Sequence, residues 1–171
     1  MKTAIIVTVV LFMALCGCAK TKPPQNHYYL LNPPQNQQGE LNTTPPTLRI
    51  ELAQFLSQGS LVLQLDEQQI QPSHYHRWAE PLAGMIERYL QRQLQQHDQP
   101  QQKVAITLVI DCFHGSPAGE VWLSGQWWDD SPENTRPHRF AYQAKQQQAG
   151  YDSLVITLQQ LLDRVANELA E

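Results

Sequence analysis

Charge is scarce in this sequence: Asp, Glu, Lys and Arg make up 16% of its 171 residues, and the net charge is −4 at pH 7. So weak and negative a balance supplies no basic stripe to grip phosphates, which argues against nucleic acid as a partner. Long apolar runs are missing too. The longest, Ala4 to Leu15, falls short of the roughly 20 residues that a helix needs to span a bilayer. A glycine-rich phosphate loop, a Gly-x-Ser-x-Gly elbow and a His-Glu-x-x-His helix are all absent, which removes the commonest signatures of nucleotide, acyl-transfer and zinc chemistry. Polarity comes instead from 24 glutamines, clustered in runs such as Gln95-Gln96, Gln101-Gln102 and Gln146-Gln147-Gln148, which read as neutral, solvated loops and helix faces.

What is present begins at the amino terminus. Lys2 followed by the apolar stretch Ala4 to Leu15 has the make-up of a secretory signal. The next residues, Leu15-Cys16-Gly17-Cys18, resemble the lipobox of bacterial lipoproteins: Leu at −3, small residues at −2 and −1, and the modified Cys at +1. A cut before Cys16 would put Ala14 and Leu15 at the boundary, a poorer fit. The expected division is therefore a signal peptide over 1–17, a lipidated tether over 18–26 and one folded domain over 27–171. Cys18 would carry covalent diacylglycerol and an N-linked acyl chain, with no other cofactor. Several acyl chains, at about 0.8 kcal/mol per buried methylene, hold a folded domain on a bilayer without a spanning helix. Ala19 follows Cys18; in the sorting rule of enteric lipoproteins, the lack of Asp there favours the outer membrane, which places the domain in the periplasm. With Cys16 removed and Cys18 lipidated, Cys112 stands alone, so no intramolecular disulfide forms; it reads as a small buried hydrophobe.

The domain itself reads as mixed α/β. Strands are expected at His27 to Leu31, at Thr47 to Leu52 with Leu48, Ile50 and Leu52 on one face, and at Leu61 to Leu65 after a turn at Gln58-Gly59. Trp78, Leu82, Ile86, Leu90 and Leu94 recur every fourth residue, which predicts a helix from about Ala79 with Pro81 in its first turn. Val104 to Phe113, Glu120 to Trp128 and Arg139 to Ala144 follow as an antiparallel meander whose first strand, apolar on both sides, is central. A last helix runs from Asp152, the expected N-cap, to Leu169. The sum is a single domain, a mixed sheet with two main helices packed on it.

Few residues in it invite a chemical role. His74 and His76 flank Tyr75, but two ligands make no metal site; a third could come from His27, His97, His114 or His138, yet nothing in the sequence fixes their distance, and no metal is expected. Asp111 lacks a basic partner in the sequence around it and reads as a strand-end acid reaching water. Trp122, Trp127 and Trp128 form an aromatic group that is either sheet packing or a contact for a partner or lipid, since indoles suit the boundary between apolar matter and water. No catalytic residue is expected.

Arg77-Trp78-Ala79-Glu80-Pro81-Leu82, together with Tyr28-Tyr29-Leu30, Phe55-Leu56 and Leu61-Val62-Leu63, resembles the PqiC-type ABC transport auxiliary lipoproteins of paraquat-inducible intermembrane transport. The resemblance runs from about Tyr28 to Leu169. It implies a three-layer α/β fold similar to the amino-terminal domain of TolB, and a non-enzymatic subunit of a mammalian-cell-entry (MCE) type lipid transport system that contributes to envelope integrity. The implied partner is an MCE-domain periplasmic tube protein of the PqiB type, the implied assembly a homo-oligomeric ring. The alternative is a lipoprotein of another outer-membrane assembly or trafficking complex. Read physically, Trp78 anchors the helix start, Pro81 sets its first turn, Glu80 faces the positive helix end, and Arg77 pairs with Glu80 or with a neighbouring subunit.

Overall fold

The computed structural model describes residues 24–31, 47–96, 105–129, 131 and 136–170. The signal segment, Cys18 and its surroundings therefore lie outside the described residues. Seven strands form one sheet in the order β1 (His27–Tyr29), β4 (Ile70–Trp78), β3 (Ser60–Gln64), β5 (Ile106–Gly115), β6 (Glu120–Asp129), β7 (His138–Lys145). The remaining strand, β2 (Leu48–Leu52), lies parallel to the first half of β5, while β3 meets only the far end of β5 through Leu63 and Gly115. β5 thus has neighbours along both sides, as its two apolar faces demand. The expected β5–β6–β7 meander is antiparallel throughout.

Alternation decides which face of the sheet is buried. Leu48, Ile50 and Leu52 of β2 stand opposite Ile106, Leu108 and Ile110 of β5, and these in turn register with Asp129, Trp127 and Gly125 of β6. Helices α1 (Leu82–Leu94) and α2 (Tyr151–Leu169) lie against this face and against each other. Leu82, Met85, Ile86, Tyr89 and Leu90 are the buried stripe of α1; Leu154, Leu158, Leu161, Leu162 and Val165 belong to that of α2. Each such side chain taken fully out of water contributes about 1.5–3 kcal/mol. Tyr89 Oη donates a 2.6 Å hydrogen bond to Asp163 Oδ1 between the two helices, and burial, followed by that bond, drives the phenol's pKa upward. Because both helices share one face, the described residues make two layers, where the resemblance implied three.

Four local expectations need correction. Ile70 to Trp78 is a strand, which its mixed polar composition and Pro72 disguise; its pairing with β3 slips between Ser60 and Val62, where Ser73 Oγ accepts the His76 amide at 3.2 Å. Trp78 therefore closes a strand and does not belong to the α1 stripe. Pro81 precedes the first helical residue at φ −54°, ψ 122°, and its carbonyl accepts the Met85 amide. The residue before α2 is Gly150, at φ 115°, with Asp152 in the first turn. Asp111 is not at a strand end: it is the extra residue of a β-bulge between Ile110 and Cys112, exposed to water.

Candidate functional site

The Arg77–Pro81 string lies where three pieces of chain converge. The Trp78 amide donates to Gly59 O and the Ala79 amide to Tyr29 O, both at 2.9 Å, so the end of β4 is tied to β1 on one side and to the turn before β3 on the other. The Trp78 indole is buried, 5.9 Å from the ring of Phe113. Arg77 Nη2 donates to Gln58 O at 3.3 Å. Glu80 pairs with Arg88 of α1, so the Arg77–Glu80 pair weighed from the sequence does not form. Both members of the Glu80–Arg88 pair are largely exposed, and such pairs contribute under about 1 kcal/mol. The string holds a junction together; it places no reactive group in a cleft.

Beside the junction, the parallel register of β1 on β4 sets His27 next to His76 and Tyr29 next to Trp78. The imidazole of His76 lies between two rings: His27, stacked at 5.0 Å, and Tyr151 at the start of α2, stacked at 3.7 Å. Tyr29 Oη and His76 Nδ1 share a 2.8 Å hydrogen bond. Burial, reinforced by His27 and opposed by Asp152, lowers the pKa of His76; burial, with Asp152 and Tyr151, raises that of Tyr29. Both groups are thus held in their neutral forms at neutral pH. Neither is aligned with a nucleophile, so the cluster is a ring stack that ties the N-terminus of α2 to β1 and β4. His74 is turned edge-on to Tyr75 at 4.9 Å. Among the described residues, no three of His, Cys, Asp and Glu gather closely enough to hold a metal ion.

Tyr151 also borders an open cavity of about 270 Å³ between the β5–β6 turn and the loop before α2, lined by Leu63, Gly119, Gln146, Gln148, Tyr151 and Leu154 among others. None of its lining side chains is Asp, Glu, Lys, Arg or His. Such a surface suits a small uncharged or apolar group, with the Tyr151 phenol the ionisable side chain at its border.

The three tryptophans do not gather. Trp127 faces the helices: its Nε1 donates to Glu168 Oε1 at 3.1 Å, its ring stacks on His138 at 4.3 Å, and Tyr142 Oη donates to the other oxygen of Glu168. Trp122 and Trp128 stand on the opposite face, six residues apart along β6, or about 20 Å at strand spacing. Trp122 registers with His114, its ring 5.5 Å away. His114 is buried, its pKa is lowered by burial, and its Nδ1 has no hydrogen-bond partner among the described residues. Cys112 occupies the same face opposite Ser124, half-buried and free.

Sequence reasoning missed Tyr29 and Tyr151, and named His27 only as one of several possible third metal ligands. The aromatic start of β1 and the alternate histidines were visible. Their meeting depends on a parallel strand pairing and on a helix 75 residues beyond His76 in the chain, neither of which leaves a local signal.

No curated protein matches the sequence. The fold is shared with the crystal structure of an uncharacterized protein, at a TM-score of 0.73 and 22% identity, covering 85% of this chain and 97% of that one. It is also shared with protein XCC0632 from Xanthomonas campestris, of the DUF330 family, at a TM-score of 0.59 and 16% identity, covering 86% and 90%. A family model described as "ABC-type transport auxiliary lipoprotein component" matches residues 29–170, from the second residue of the aromatic pair in β1 to the end of α2. That match takes in the sheet, both helices and the Arg77–Pro81 junction, and the chain therefore belongs to the ABC-type transport auxiliary lipoprotein family.

Proposed function

We propose that this protein is an outer-membrane-anchored periplasmic lipoprotein subunit of an MCE-type intermembrane lipid transport system. It holds the end of a tube protein of the PqiB type and works as a homo-oligomeric ring that supports envelope integrity. The single observation that carries the reading is the family match over residues 29–170 in a chain that opens with Lys2, an apolar core and Leu15-Cys16-Gly17-Cys18. Two features are consistent with it. No helix among the described residues is long and apolar enough to cross a membrane, so the acyl chains on Cys18 take the anchoring role. The candidate site is made of packed rings and an uncharged cavity, which suits a scaffold better than an enzyme. Trp122 and Trp128, half-buried on the sheet face away from the helices, are the candidate contacts for partner or lipid.

The test is co-purification. The lipidated protein, tagged at its carboxyl terminus and extracted in mild detergent from native membranes, is expected to carry an MCE-domain protein with it and to have the mass of a symmetric oligomer. Recovery as a monomer without that partner would overturn the proposal and favour a different outer-membrane assembly.

A further inference from the structure

Six large apolar side chains are exposed among the described residues, and their distribution is uneven. Tyr28 lies on β1 and Leu30 directly after it, while Leu65, Ile70 and Tyr75 lie on β4 or at the ends of the β3–β4 turn; the sixth, Ile156, is on α2. The first of them, Tyr28, keeps 62% of its surface in water. β1 covers only His76 to Trp78 of β4, so the stretch from Ile70 to Tyr75 forms the rim of the sheet, with Pro72 interrupting its row of amide donors. The opposite edge, β7, turns His138, Arg139, Gln143 and Lys145 to solvent and exposes no large apolar side chain.

We infer that the β1–β4 edge is the surface on which the domain lies against its membrane, an inference that rests on the proposed anchor at Cys18. Tether length picks out the edge. Cys18 precedes His27 by nine residues, and a chain of that length typically spans about 15–18 Å. β7 is five strand spacings from β1, or about 24 Å. The acyl chains are thus tied closest to the apolar edge, and because β1 runs parallel to β4, the chain before His27 heads towards the Ile70 end.

The chemistry of the edge suits a lipid interface. Tyrosines present an apolar body and a polar tip, which places them at headgroup depth, while Leu65 and Ile70 reach further in. The turn between them carries two carboxylates: Asp66 accepts the Gln68 and Gln69 amides at 2.8 and 2.9 Å, while Glu67 is exposed to water. The contact is therefore driven by apolar burial and not by charge, and anionic lipid is expected to bring it no gain, since the turn is itself acidic.

The full lipidated protein in vesicles made mainly of phosphatidylethanolamine, with a minor fraction of phosphatidylglycerol, tests this. Nitroxide labels at Gln69→Cys or Gln71→Cys, in a Cys112→Ser background, leave every apolar anchor in place; Gln160→Cys on the exposed side of α2 is the reference. At positions 69 and 71, accessibility to a water-soluble nickel chelate is expected to fall at least about fivefold on reconstitution, as for segments seated among headgroups, with position 160 unchanged. Combining Tyr28→Ser, Ile70→Ser and Tyr75→Ser should abolish that protection while the protein still floats with the vesicles. If the protein floats but positions 69 and 71 stay as accessible as 160, the inference is wrong and the anchor stands. If it does not float, the anchor reading fails and the inference falls with it. Protection that grows with protein concentration in the absence of vesicles would assign the edge to a second copy of the chain and overturn it.

Discussion

Gly125 offers the sharpest test of the fold. It sits in β6 opposite Ile110, immediately beside the Asp111 bulge, on the face that carries the helices. A Cβ built there would lie 2.1 Å from the Val109 carbonyl oxygen and 3.0 Å from Cζ of the buried Phe140. The backbone of β5 is fixed by β2 on its other side, so Gly125→Ala forces the β5–β6 pair apart by about 1 Å. Overpacking of this kind costs about 1–3 kcal/mol, and losing a ladder hydrogen bond adds about 1 more. At roughly 2–4 °C per kcal/mol for a domain of this size, the melting temperature should fall by about 10 °C. Gly84→Ala provides the opposite sign: its Cβ meets only Arg88 Nη1, at 3.5 Å, so the helix gains about 1 kcal/mol from better propensity. Thermal unfolding followed by circular dichroism reads both. A Gly125→Ala protein that melts within about 2 °C of the parent would refute the register of β5 on β6.

Other expectations follow from the same packing. Glu168→Ala removes the acceptor shared by Trp127 and Tyr142 and should lower the unfolding free energy in urea by about 1–3 kcal/mol. Leu162→Ala, at a fully buried position of α2, should cost about 2–5 kcal/mol in the same assay. His76 and His114 both have pKa values below the ordinary 6.5, chiefly through burial, so near that pH the unfolded chain binds more protons than the folded one. Their contribution is therefore whole above about pH 6.5 and is lost as pH falls through it towards the folded values. Melting temperatures measured at stepped pH should drop across that window, and by less in His76→Asn.

Much of this architecture was legible locally. The segment apolar on both sides became β5, which from Ile106 onward does run between two neighbours; the four-residue spacing from Leu82 to Leu94 and the stripe from Leu154 to Leu169 are the faces that the helices bury. β4 was hidden because its segment lies on a sheet edge, where no buried face enforces alternation, and because the irregularity between Ser73 and His76 shifts its register. Trp78 misled for the complementary reason: a strand end packed under a helix start falls by chance on the helix period. Asp111 and Trp127 had sequence surroundings that fitted several roles, and only the bulge and the reach of Glu168 from α2 decided between them. The Tyr29–His76–Tyr151 stack joins elements far apart in the chain, so no window of sequence contains it.

The anchoring chemistry bears most directly on the account as a whole. Cells expressing the protein are grown with labelled palmitate, and the parent is compared with Cys18→Ser by immunoprecipitation and by fractionation of the envelope. The account predicts label in the parent recovered with outer membranes, and neither label nor membrane association in the variant. Equal fractionation of the two proteins, with no label in either, would contradict it.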